Sequence, residues 1–149
     1  MHSAAGTAAR HLQNMGLASA STILHGTGAG KLNVEQVAEA VAEGSILACY
    51  QFDDYRTKEK PKPQLKKLTI VECDRSNLTA ARRGVRVGKK IAEATCLARD
   101  LANLPGNTAT PSYLARTARS IARTHGMSCQ VFDEARMRKM GMGALLAVS

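Results

Sequence analysis

The sequence predicts an α/β fold, and three observations carry that reading. Two short runs rich in β-branched residues, 20–25 and 67–73, read as strands. Apolar residues recurring every three or four positions over 4–15, 34–42 and 80–101 read as helices with one buried face. Gly, Pro and Asn fall between these patterns, where turns belong.

Ala4, Ala5, Ala8, Ala9, Leu12 and Met15 form the stripe of a first helix, which Gly16 stops. After the first strand, Gly26–Thr27–Gly28–Ala29–Gly30–Lys31 invites a phosphate-loop reading and fails it. A Walker loop needs Gly where His25 stands and Ser or Thr where Leu32 stands, and the dinucleotide pattern needs Gly where Lys31 stands, so the segment reads as a connection. Asn33 caps the next helix, with Gln36 at capping-box spacing, Val34, Val37, Ala38, Val41 and Ala42 buried, and Glu35, Glu39 and Glu43 facing water. For 45–52, periodicity leaves helix and extended chain both open. Pro61, Pro63 and a run of lysines make 56–67 an exposed loop, and 67–73 is the clearest strand.

A long helix follows, with Ala80, Gly84, Val87, Ile91, Ala94, Ala98 and Leu101 as its buried stripe. It ends near Asn103, because Pro105 has no N–H and pushes Leu104 out of the helical region. Pro105–Gly106–Asn107 is turn chemistry, with Gly106 or Asn107 suited to a positive φ. Thr110 caps the next helix with Pro111 in its first position, and His125–Gly126 closes it. Residues 127–132 read as a strand. Asp133 caps a short helix reaching Met140, with Met137 and Met140 in the core. Gly141 and Gly143 bracket a turn, and Ala144–Leu145–Leu146–Ala147–Val148 reads as an apolar strand that needs a covering partner.

The 149 residues, 44% hydrophobic, suit one globular domain whose core is built from Ala, Val, Leu, Ile and Met, since there is no Trp and only two Phe and three Tyr. No run has the apolar length of a membrane helix, and the N-terminus lacks a basic stretch followed by an apolar one, so a soluble cytoplasmic protein is the expectation. Cys49, Cys73, Cys96 and Cys129 are too far apart for a zinc motif and read as buried reduced thiols. His2, His11, His25 and His125 are equally scattered. Between Arg56 and Lys90 there are twelve Lys/Arg and three acids, an excess equal to the whole chain's net charge of +9. Such a surface suits nucleic acid. The absence of interleaved aromatic residues favours a solvated loop and the wet face of a helix carrying Arg82, Arg83, Arg86, Lys89 and Lys90. Arg116, Arg119 and Arg123 make a second such face.

Asn103–Leu104–Pro105–Gly106–Asn107, then Thr110–Pro111 with Leu114–Ala115, then Lys139–Met140–Gly141–Met142–Gly143–Ala144–Leu145–Leu146–Ala147–Val148, resembles the leucine aminopeptidase (cytosol aminopeptidase) family of two-metal exopeptidases. Glu43–Gly44 and Tyr50–Gln51–Phe52–Asp53–Asp54–Tyr55 resemble the segment that ends the family's N-terminal domain. The resemblance implies an α/β architecture in three parts: the later portion of a macro-like, mixed-sheet N-terminal domain at 1–75, a linker helix at 76–104, and the first helix and strand elements of the catalytic peptidase domain at 105–149. Both ends are then expected to continue in a parent protein that removes N-terminal residues from peptides and assembles as a homo-hexamer.

In the family two divalent cations, Mn, Zn or Mg, polarise the scissile carbonyl, activate a water and bind the free amine. Their ligands lie in Asp-Ser-Gly-Gly and Asn-Thr-Asp-Ala-Glu-Gly-Arg runs, and neither run occurs here. No catalytic, cofactor-binding or metal residue is therefore assigned to any position, and the 149 residues alone are expected to be inactive. Asp53–Asp54 and Asp133–Glu134 read as solvation or capping. Two alternatives are a nucleic-acid-binding module using the basic region from Arg56 to Lys90, a property of some bacterial relatives, and an ADP-ribose site of the macro-domain kind. The lack of early strands and the failed glycine pattern weigh against the second.

Overall fold

The computed structural model describes residues 1–57 and 64–148. The elements run α1 (His2–Asn14), β1 (Ser19–Ile23), α2 (Val34–Cys49), β2 (Lys67–Val71), α3 (Leu78–Asn103), α4 (Pro111–Thr124), α5 (Glu134–Lys139) and α6 (Gly143–Leu146). They fall into two compact units, Met1–Asn103 and Leu104–Ser149. Lys58, Lys60, Lys62, Pro61 and Pro63 of the expected basic loop lie outside the described residues.

In the first unit α2 is the central element, packed by α1 and by α3. Its start is fixed locally: Asn33 Oδ1 accepts from the Gln36 N–H at 2.9 Å while the Asn33 N–H donates to Gln36 Oε1 at 3.1 Å, the capping box read from the sequence. Val37, Ala38 and Val41 are essentially inaccessible, and Ala5, Val37 and Val41 form the core with Met1, Leu24, Leu32 and Ile70 against them. The glutamates of α2 do not simply face water. All three are half-buried, Glu35 pairing with Arg83 at 3.1 Å and Glu43 with His2 at 3.1 Å, because helices flank α2 on either side.

The helix contacts are made through small residues. A methyl group on Gly44 would overlap the His2 carbonyl, and one on Gly84 or Gly88 would overlap the carbonyl oxygen of Glu35 or Glu39. This corrects two expected faces. On α1 the buried residues are Ala5, Gly6, Ala9 and Gln13, while Ala4, Ala8 and Met15 are exposed. On α3 they are Ala81, Gly84, Gly88 and Ala92, while Val87 and Ile91 of the expected stripe are 40% and 41% exposed. Apolar bulk favoured the wrong side; close backbone approach selected the side without it.

β1 and β2 pair in parallel, with Ala20 opposite Leu68 and Thr22 opposite Ile70. These four are half-buried, and their neighbours along each strand are exposed. The sheet, expected to be mixed, is among the described residues these two parallel strands, joined through α2.

In the second unit Thr110 Oγ1 accepts from the Tyr113 N–H at 3.3 Å, with Pro111 opening α4. His125 closes α4 and Gly126 takes φ +66°. Asp133 Oδ1 caps α5 through the Arg136 N–H at 2.8 Å. The turn after α3 is closed by the Thr108 and Ala109 N–H groups on the Pro105 carbonyl, at 2.8 and 2.9 Å, and neither Gly106 nor Asn107 takes the expected positive φ. Two expected strands are absent among the described residues. Residues 127–132 are irregular, and the run from Ala144 lies in α6 and the turn after it. A strand needs a ladder partner, and neither run has one here. Met137 is half-buried, whereas Met140, also expected in the core, is 50% exposed.

The thiols are all free, but only Cys49 and Cys96 are half-buried; Cys73 and Cys129 are exposed, against expectation. Cys73 lies just past the end of β2 and Cys129 in the irregular stretch, where nothing covers them. No helix among the described residues is long and apolar enough to cross a membrane.

Candidate functional site

A polar cluster lies where α2 ends. A helix leaves its last carbonyls without intrahelical partners and carries partial negative charge there. Both flanking helices answer it. Arg99 Nη1 of α3 donates to the Leu47 carbonyl at 3.2 Å, Arg10 Nε of α1 to that of Ala48 at 3.1 Å, and Gln13 Nε2 to that of Cys49 at 3.5 Å. Two guanidinium groups thus meet the negative end of the helix.

Tyr50 follows immediately. Its hydroxyl donates to Asp100 Oδ1 at 2.8 Å and accepts from Asn103 Nδ2 at 3.1 Å, while the Arg99 guanidinium stacks on its ring at 5.5 Å. Desolvation and the bond to Asp100 push the phenol above its ordinary range, against the Asn103 bond. Burial likewise lifts the Cys49 and Cys96 thiols, opposed by Arg10 and Arg99 respectively. The cluster has no nucleophile set beside a base. It ties the last turn of α3 to the end of α2. Sequence reasoning did not join these residues, because Tyr50 and Asp100 are fifty positions apart and no periodicity links them.

The paired carboxylates are occupied elsewhere: Asp53 with Arg56 at 3.5 Å, Asp133 as a cap, Glu134 with Arg138 at 2.8 Å. Among the described residues no three His, Cys, Asp or Glu side chains gather in a group that could hold a metal ion. These residues therefore do not fit the cation pair that the family resemblance implies. On the wet side of α3, Arg82, Arg86 and Lys90 are exposed, Arg83 pairs with Glu35, and Lys89 pairs with Glu93 at 3.6 Å.

Comparison with known proteins gives this cluster its meaning. Residues 1–59 match the N-terminal domain of the cytosol aminopeptidase family and residues 96–149 match its catalytic domain. A probable cytosol aminopeptidase of Geotalea uraniireducens is 36% identical over 155 aligned residues, covering 100% of this chain and 30% of that protein. One from Persephonella marina is 42% identical over 115 residues, 77% of this chain and 23% of the relative. Among solved structures, the bottromycin maturation enzyme BotP is similar with a TM-score of 0.75 at 33% identity, covering 94% of this chain and 28% of that one. BotP in complex with Mn gives 0.74 at 31%. The chain belongs to the cytosol aminopeptidase family, and it spans less than a third of the length of these relatives. Tyr50 lies in the N-terminal match, and Arg99, Asp100 and Asn103 lie in the catalytic match. The cluster joins the two.

Proposed function

We propose that this chain is the front portion of a metal-dependent leucyl aminopeptidase, a hydrolase that releases N-terminal amino acids from peptides, and that its 149 residues alone are inactive. The observation that carries the reading is the order of the two family segments and the Tyr50, Asp100 and Asn103 bonds that tie them. The chain's share of the chemistry is to hold the end of α3 against α2. The two divalent ions, manganese, zinc or magnesium, belong to carboxylate runs outside this sequence. A structural relative in complex with Mn supports manganese. A cytoplasmic homo-hexamer is the assembly and location that the family suggests. The nucleic-acid alternative gains no support, since the relatives named above are described as aminopeptidases or a maturation enzyme.

A chimera tests the proposal. The 149 residues are placed ahead of the catalytic remainder of the Geotalea uraniireducens relative and assayed on leucine p-nitroanilide with manganese. Metal-dependent release is expected. A chimera that folds and stays inactive with manganese, zinc and magnesium would contradict it.

A further inference from the structure

We draw no further inference here: the strongest candidate, the exposed apolar face of α3 that carries Val87, Ile91, Ala94 and Ala98, has nothing in the structure to show what covers it.

Discussion

Gly84 and Gly106 show how differently one residue type acts in this chain. At Gly84 an added methyl meets the Glu35 carbonyl oxygen, part of a helix backbone that cannot give way cheaply; at Gly106 there is open space and an ordinary φ. Gly84→Ala should therefore cost about 1–3 kcal/mol despite alanine's better helix propensity, read as a lower urea midpoint. Gly106→Ala should leave the midpoint unchanged or raise it slightly. Tyr50 gives a pH signature. Its phenol is held above the ordinary value of 10.0, so the folded chain keeps that proton more tightly than the unfolded chain. The resulting stabilisation is complete below the unfolded value and disappears as pH rises through the folded one. Urea midpoints measured upward from neutral pH should fall more steeply through the alkaline range for the parent chain than for Tyr50→Phe.

At the scale of elements, what the sequence disclosed was local chemistry. Asn33 with Gln36, Thr110 with Pro111, and Asp133 each mark a helix start within three residues, and the structure places α2, α4 and α5 there. Thr110→Ala should cost about 1 kcal/mol of α4 stability, seen as about fivefold faster amide exchange at Tyr113 with α2 unaffected. The illegible features depend on a distant partner. Which side of α3 is buried was decided by the backbone of α2, and the rows without side chains won over Val87 and Ile91. Residues 127–132 and 144–148 have strand composition, but a strand exists only beside another. The Tyr50 cluster was illegible for the same reason, although Tyr50 and Asn103 stand in segments on which the resemblance rests.

Across the whole molecule, burial and charge are unevenly shared. The first unit holds the core around Val37 and Val41, while in the second only Ala122 is buried among the described residues, and Leu114, Met127, Met140 and Leu145 stand largely exposed. The excess of positive charge sits between Arg56 and Lys90, where α3 turns its wet side outward. On the proposed reading the first unit is a support that fixes the end of α3, and the chemistry lies in carboxylate runs that this chain does not carry. Leucine p-nitroanilide hydrolysis by the purified 149-residue chain, with and without manganese, tests that division most directly. The account predicts no metal-dependent release above the protein-free blank; robust turnover that requires the metal would contradict it.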